Sequence, residues 1–186
     1  MNMFGTADRD AWRAWLAEHY KIESEVWFVF PTKAAGEESI SYNDAVEEAL
    51  CFGWIDSTNR SLDAMHKARR FTPRRPGSPY SQPNVERLRE MRTQGRFMPD
   101  VEVAVGDLLD SSFEFPDDII SELRADAVAW EFWQRCSEPY RRIRVAYVEA
   151  ARKRPDEFER RLGNLVAKTW QGKLIRGYGG VDKYYW

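Results

Sequence analysis

The chain has 186 residues, of which 43% are hydrophobic, and its formal net charge at pH 7 is −2. This balance is ordinary for a globular protein, and it excludes a strong attraction of the whole molecule for nucleic acid or for an anionic membrane surface. The two cysteines, Cys51 and Cys136, are far apart in sequence, which excludes a disulfide scaffold and favours a reduced, cytoplasmic protein.

The N-terminal region predicts one helix followed by one buried strand. Its first twelve residues show no signal-peptide pattern, and no apolar run of the chain is long enough to span a membrane. Thr6 is a candidate N-cap for the helix, in which apolar residues keep helical spacing up to Tyr20. Residues 24–33 are rich in β-branched and aromatic types, so they predict a strand that ends at Pro31.

A second helix is predicted to begin at Ser41, which forms a capping-box-like pattern with Asp44. Gly53 follows the last apolar turn of this helix, where a left-handed C-terminal cap is expected. Residues 54–62 and 68–74 mix apolar and polar types over short lengths. We predict that they form the two strands of a hairpin, and a helical turn in this region is the alternative.

Beyond the hairpin the sequence predicts a loop and then helices. Residues 74–83 are rich in proline and should form a surface loop. Helices are expected from about residue 84 to 94 and from about Pro99, and residues 110–118 are the best candidate for a domain boundary. We therefore expect three parts: an α+β part (1–112), a helical part (113–172) and a glycine-rich aromatic tail (173–186).

The second half of the sequence predicts helices alone. Four of them should begin near Pro116, Asp126, Ser137 and Pro155, each with its apolar residues on one face. The tail leaves two alternatives open, a flexible segment or aromatic side chains that pack back on the body. The predicted fold class is α+β, with a small β-sheet and flanking helices followed by an all-helical part. The residues expected to face the helical core include Trp130, Trp133, Tyr147, Phe158, Leu162 and Leu165.

Several kinds of chemistry are disfavoured by the residue inventory. Two histidines and two cysteines without paired spacing do not make a zinc site, and neither a phosphate-binding loop nor a dinucleotide-binding glycine motif is present at a strand end. No nucleophile elbow occurs. A dyad of Cys51 and His66 is a weak candidate, because the last turn of a helix does not stabilise a thiolate. We therefore expect no metal and no cofactor.

Residues 60–76, which we call the arginine segment, carry the clearest functional signal. Six cationic side chains stand against Asp63 alone, which gives the segment a charge of +5 and leaves −7 for the rest of the chain. Arginine suits bidentate contact with carboxylate or phosphate, and the prolines of the segment stiffen its backbone. The candidate ligand-binding residues in and around it are Trp54, Asp56, Arg60, Arg69, Arg70, Phe71, Arg74, Arg75, Ser78 and Tyr80.

Asp56 follows a Gly-Trp-Ile step that is expected to be partly buried. A buried carboxylate needs a charged or hydrogen-bonding partner, and the expected partner is one of Arg69, Arg70 or Arg74. Two interpretations stay open. The pair either fixes the sheet to the loop, or it orients one arginine of an anion-binding cleft.

Three stretches of this sequence resemble the YdeI/OmpD-associated family, also labelled bacteriocin-protection proteins. They are "LCFGWIDS" at 50–57, "RRFTPRRPGSPYS" at 69–81 and "NVERLREM…GRFMP" at 84–99. The resemblance covers about residues 10–170, and Tyr80 stands where the family usually has tryptophan. The resemblance implies a shared fold. It implies no catalytic residues, and a basic loop would repel the cationic peptides that the family label suggests.

The leading hypothesis is a cytoplasmic module that binds an anionic small ligand at residues 53–81. The first alternative is an enzyme that acts on a phosphate- or carboxylate-bearing substrate, with Asp56 or His66 in acid–base work. The second is a module that binds a protein or grips single-stranded nucleic acid, using the arginines together with Trp54, Phe71 and Tyr80. The acidic remainder of the chain weakens the nucleic-acid alternative.

Overall fold

The α+β class predicted from the sequence is confirmed by the computed structural model, which describes residues 2–177 and 181–185. The strands lie in the first half of the chain, and the second half is helical. The strands are β1 (Met3–Phe4), β2 (Val26–Pro31), β3 (Trp54–Ser61) and β4 (His66–Pro73). The helices are α1 (Arg9–His19), α2 (Tyr42–Cys51), α3 (Gln82–Thr93), α4 (Pro99–Asp110), α5 (Asp117–Arg124), α6 (Ala127–Arg135), α7 (Glu138–Glu149) and α8 (Pro155–Trp170), followed by a 3₁₀ helix at Asp182–Tyr185.

The four strands form one sheet in the order β1-β2-β4-β3. β1 is parallel to β2, and the β2–β4 and β4–β3 pairs are antiparallel. The predicted hairpin is therefore confirmed as β3 and β4. Its register shifts between Asp56 and Asn59, so β3 carries a bulge of the kind that re-aims side chains.

The helix starts were predicted well with one exception. Ser41 caps α2 and accepts a hydrogen bond from the Asp44 amide at 3.1 Å, as the capping pattern predicted. The cap of α1 is Asp8 rather than Thr6, because the Asp8 side chain accepts from the Asp10 amide. Thr6 instead accepts a hydrogen bond from the Asp8 amide at 3.0 Å. The prediction at Thr6 was therefore wrong by two residues.

The described chain divides into two compact units. The first comprises residues 1–80 and 87–109, and the second comprises residues 81–86 and 110–186. No helix in residues 2–177 or 181–185 is both long and apolar enough to cross a membrane. The predicted domain bounds at 112 and 172 stay a prediction.

The core of the first unit is built from aromatic side chains between the sheet and its first helix. Trp12 of α1 meets Phe28 of β2 and Phe71 of β4 in edge-to-face contacts, with ring centroids 5.0 and 5.6 Å apart. The Trp12 indole N–H also donates to the Ala45 carbonyl of α2 at 3.0 Å. Such rings contribute large buried areas and directional contacts, so α1, α2 and the sheet are fixed together.

The core of the second unit joins α5, α6, α7 and α8. Trp133 and Leu165 are fully buried in it, as predicted, whereas Trp130, Phe158 and Leu162 are partly buried against it. Tyr147 is also only partly buried, and the Arg161 guanidinium lies 3.9 Å from the centre of its ring. The prediction that these six side chains face the core is therefore correct for two of them. The other four are less buried than predicted.

Part of the tail packs on this second core. Val181 and Tyr185 are buried, and the Tyr185 ring meets Tyr140 edge-on at 4.9 Å. For these residues the packed alternative is the correct one. The remaining tail residues at 178–180 and 186 lie outside the described residues.

Candidate functional site

The Gly-Trp-Ile-Asp step joins a helix end, a strand and the start of a loop. Gly53 has φ of +70° and ends α2, in the left-handed conformation that favours glycine. Its carbonyl accepts a hydrogen bond from the Arg74 amide at 2.9 Å, and Trp54 pairs with Pro73 across the hairpin. The sequence therefore brings the loop that begins at Arg74 directly beside the end of α2.

Asp56 lies on β3 and binds two partners. Its Oδ2 accepts a hydrogen bond from the Tyr42 hydroxyl at 2.8 Å and lies 3.4 Å from Arg69 Nη1. The Arg69 guanidinium also lies 5.0 Å from the centre of the Tyr42 ring. Burial raises the pKa of Tyr42 to about 12, and the negative charge of Asp56 acts in the same direction. The predicted pairing of Asp56 with an arginine is thus found, and its partner is Arg69.

The other strand cations do not join Asp56 and Arg69. Neighbouring side chains of a strand point to opposite faces of the sheet, so Arg70 leaves the face that carries Arg69. Arg70 Nε donates to Glu25 Oε2 at 2.6 Å, which neutralises that arginine. Arg60 and Lys67 are exposed, and neither has a carboxylate within 4 Å among the residues that the structure describes. The strand cations therefore do not converge on one cleft.

Arg74 is held in the loop by a ring and by oxygens. Its guanidinium carbon lies 3.6 Å from the centre of the Tyr80 ring. Its Nη2 donates to the Ser78 carbonyl at 2.8 Å, to Ser78 Oγ at 3.2 Å and to the Pro79 carbonyl at 3.1 Å. Arg75 beside it is exposed, and its carbonyl accepts from Ser78 Oγ at 2.7 Å. Within the described residues neither arginine has a carboxylate partner.

A pocket of about 300 Å³ opens next to this loop within the first unit. Trp54, Pro73 and Tyr80 form one side of it, and Val101 and Ala104 of α4 are also in its wall. Lys21 and Asp100 line it as well, and their opposite charges offset each other. The pocket is mainly apolar, and Arg74 stacks on one of its wall residues.

Two of the three aromatic candidates are core residues. Phe71 is fully buried, and Trp54 is 1% exposed with its indole N–H donated to the Tyr20 carbonyl at 3.1 Å. Phe71 therefore cannot touch a ligand, which corrects its place among the candidates, and neither ring is free to stack on a base. Tyr80 is partly exposed and is the aromatic residue of the three that can meet a ligand with its ring.

His66 and Cys51 do not form a dyad. The Nδ1 of His66 lies 3.1 Å from Asp63, and its Nε2 lies 3.2 Å from Glu37. These hydrogen bonds to Asp63 and Glu37 raise the pKa of His66, and they tie the imidazole to the hairpin turn and to Glu37. Burial raises the pKa of the Cys51 thiol to about 12, which removes the thiolate that nucleophilic chemistry needs.

A second cluster of arginines was not predicted from the sequence. We call it the Glu48 network. Both carboxylate oxygens of Glu48, a fully buried side chain, bind guanidinium groups: Oε1 binds Arg9 Nε and Arg96 Nη2, each at 2.6 Å, and Oε2 binds Arg13 Nη1 at 2.9 Å. Glu47 is also fully buried and lies 3.2 Å from Arg9 Nη2.

The positive charges of the Glu48 network are offset by carboxylates of the same unit. Burial alone would lower the pKa of Arg9, but the hydrogen bond to Glu48 and the nearby charges of Glu48, Glu47 and Asp44 raise it above its ordinary value.

The sequence contains a signal that could have predicted the Glu48 network. The two acids stand inside the apolar run "AVEEALC" at 45–51, and a carboxylate buried in such a helix requires cations.

Comparison with protein-family models divides the chain at nearly the same place as the contacts do. Residues 4–103, more than half of the chain, match the model described as Domain of unknown function (DUF8412). The chain belongs to this family. Residues 112–172 match the model described as Bacteriocin-protection, YdeI or OmpD-Associated. Neither the comparison with curated proteins nor that with solved structures gave a match.

The resemblance stated from the sequence is confirmed, but in a different segment from the one that suggested it. The three motifs at 50–57, 69–81 and 84–99 fall within the DUF8412 match, whereas the OmpD-associated match covers the helical segment at 112–172. Neither description names a ligand or a catalytic residue.

Proposed function

We propose that the chain binds a small anionic ligand at the loop of Arg74 and Arg75, beside the pocket formed by Trp54 and Tyr80. The proposal rests on the contacts of Arg74. Its guanidinium is held by the Tyr80 ring and by three loop oxygens, but not by a carboxylate. An arginine that is fixed before binding loses less conformational freedom when it meets an anion.

The donors of these two arginines support the proposal. The contacts of Arg74 use Nη2, so within the described residues its Nε and Nη1 keep no protein acceptor. Arg75, the next residue along the loop, is exposed. A guanidinium group suits phosphate or carboxylate, because it can donate two parallel hydrogen bonds.

The pocket next to Tyr80 supports a ligand with an apolar or flat portion. Its volume of about 300 Å³ is at the lower end of the range for small-molecule sites. The anion would lie at the arginines, and the apolar portion would lie against Tyr80 and Pro73. The proposal includes a cytoplasmic location, which the two buried free thiols of Cys51 and Cys136 support.

The contacts favour this proposal over the two alternatives. For acid–base work, Asp56 is engaged by Tyr42 and Arg69, and both ring nitrogens of His66 are engaged by acids. For a single strand of nucleic acid, the arginines are divided between the two faces of the sheet and the loop. A continuous cationic groove with stacking rings, which such binding requires, is therefore not supported by these positions.

Thermal melting at fixed ionic strength tests the proposal, with phosphate, pyrophosphate, succinate and adenosine monophosphate as probes. We expect at least one to raise the midpoint, because a ligand that binds the folded state stabilises it by mass action. Each kcal/mol gained should raise the midpoint by about 2–4 °C in a chain of this size. The double variant Arg74→Ala/Arg75→Ala should lose the rise and remain folded.

The matched control is Arg60→Ala/Lys67→Ala, which removes the same charge from two exposed strand positions. This control should keep the rise. If no probe shifts the midpoint, or if both double variants lose the shift equally, the loop is a solvated surface and the proposal is wrong.

A further inference from the structure

A cavity of about 830 Å³ lies in the second unit, far along the chain from the arginine segment. It is formed by the C-terminal end of α6, the start of α7 and the segment that follows α8. Its volume falls within the range of small-molecule sites, which bury most of a ligand between apolar walls. Phe132, Cys136, Leu174 and Tyr185 supply apolar wall.

The charged residues of this cavity are all cationic. Arg135, Lys173 and Arg176 line it, and no acidic side chain lines it among the residues that the structure describes. Arg135 lies 3.9 Å from Glu131, but both side chains are more than two-thirds exposed, so water screens that pair strongly. The cavity therefore combines an apolar wall with a positive rim.

The wall of the cavity is held in place by hydrogen bonds within the unit. The Tyr185 hydroxyl accepts from Arg144 Nη2 at 2.5 Å, and the Tyr140 hydroxyl accepts from the Ile175 amide at 3.1 Å. Ser137 Oγ donates to the Tyr184 carbonyl at 3.1 Å. These bonds tie the segment after α8 and the 3₁₀ helix to α7, so the cavity is formed before any ligand arrives.

We propose that this cavity is a second binding site, separate from the arginine loop, for a small amphipathic carboxylate. The apolar chain or ring would lie against Phe132, Leu174 and Tyr185, and the carboxylate would lie at Arg135 and Lys173. An apolar wall alone would favour a neutral ligand. Arg135 and Lys173 line the cavity, and no acidic side chain does so among the described residues, so the anionic form is the better electrostatic match at this rim.

Cys136 gives a direct readout of occupancy in the unmodified protein. Its thiol lies in the cavity wall and donates to the Phe132 carbonyl at 3.4 Å. Burial raises the pKa of this thiol to about 11, so its modification by methyl methanethiosulfonate will be slow and easily timed. Sodium decanoate, below its micelle concentration, should slow the modification of Cys136 at least tenfold, as followed by mass spectrometry.

Two comparison ligands test the contribution of the carboxylate and that of the apolar chain separately. The neutral alcohol 1-decanol has the same chain without the carboxylate, and it should protect at least tenfold less well. Acetate has the charge without the chain and should not protect. Equal protection by decanol and decanoate, or the absence of protection by decanoate, overturns the proposal.

Variants supply the second measurement. Arg135→Ala/Lys173→Ala should weaken decanoate binding at least tenfold in a calorimetric titration. Lys153→Ala/Arg154→Ala removes two exposed cations of the same unit that do not line the cavity, so it should bind as the parent does. Arg74→Ala/Arg75→Ala should keep the full protection of Cys136 by decanoate, because that readout reports the cavity alone and is independent of the loop proposal. Unchanged affinity in Arg135→Ala/Lys173→Ala contradicts the site.

Discussion

The first unit contains two groups of arginines that differ in whether a carboxylate lies close to them. In the Glu48 network, three guanidinium groups converge on one buried carboxylate, with Glu47 and Asp44 close by. In the arginine segment, Arg69 and Arg70 each have an acid, whereas Arg74 and Arg75 have none among the described residues. This contrast is the basis of our proposal. We infer that an anion site is marked by arginines without a carboxylate within reach rather than by the number of arginines.

The largest effect should come from Glu48→Gln. This change removes the charge that three arginines share inside the unit. Arg9 keeps Asp44 and Glu47, but Arg13 and Arg96 lose their carboxylate partner. Breaking a buried pair typically costs about 3–5 kcal/mol, and we expect about 3 kcal/mol because solvent still reaches the three arginines. Urea unfolding with a fixed m-value measures it.

Glu18→Gln is the control for that variant, since Glu18 is an exposed acid of α1. Its free energy of unfolding should stay within about 0.5 kcal/mol of the parent. A similar loss in both variants, or none in either, would mean that the Glu48 network contributes no more than a surface charge.

Asp56→Asn should have an intermediate effect. The change weakens the contact with Arg69 and alters the hydrogen bond from Tyr42, at a side chain that is 14% exposed. We expect a loss of about 1–2 kcal/mol in the free energy of unfolding. Combined with Tyr42→Phe in a double-mutant cycle, it should show a coupling of about 1 kcal/mol. Strict additivity would show that the hydroxyl and the carboxylate do not act together.

Arg74→Ala should change stability less than Asp56→Asn does. The stack on Tyr80 is partly exposed, and such a contact is worth about 0.5–1 kcal/mol. Arg75→Ala, which removes no protein contact of the side chain, should stay within about 0.5 kcal/mol. A loss above 2 kcal/mol for either variant would indicate that the loop serves stability and would remove the contrast with the Glu48 network.

The smallest effect should be the pH dependence at His66. Its pKa is raised in the folded state by Asp63 and Glu37, so its stabilising contribution is full below the unfolded pKa of about 6.5. That contribution is lost as pH rises through the folded value. The stability difference between the parent and His66→Gln should therefore be largest at acidic pH and vanish at alkaline pH. A stability difference between the two proteins that grows with pH would contradict a raised pKa of His66 in the folded state.

Much of the fold could be predicted because its signals are local. Ser41, Asp126 and Ser137 cap their helices as expected, and Gly53 takes the left-handed conformation that its place after an apolar turn predicted. A cap requires contact only with residues two or three positions away. Asp8 replaced Thr6 as the cap of α1 because two capping residues stand close together there, and local rules do not rank them.

The site could be predicted only in part because its contacts are not local. The motif located Asp56 near an arginine, but Tyr42 comes from the preceding helix and had no signal of its own. Glu48 binds Arg96 across 48 residues of sequence, and only the fold brings them together. The alternation of side chains along β4 sends Arg69 and Arg70 to opposite faces, which broke the expected convergence of the cluster.

We propose that an anion binds where arginines lack a carboxylate and not where they are most numerous. The direct measurement is an NMR titration of the arginine Nε–Hε resonances with inorganic phosphate at fixed ionic strength. We expect a saturable shift for Arg74, with Arg9, Arg13 and Arg96 unchanged. Shifts in the Glu48 network of the same size as at Arg74, or no shift at Arg74, would contradict it.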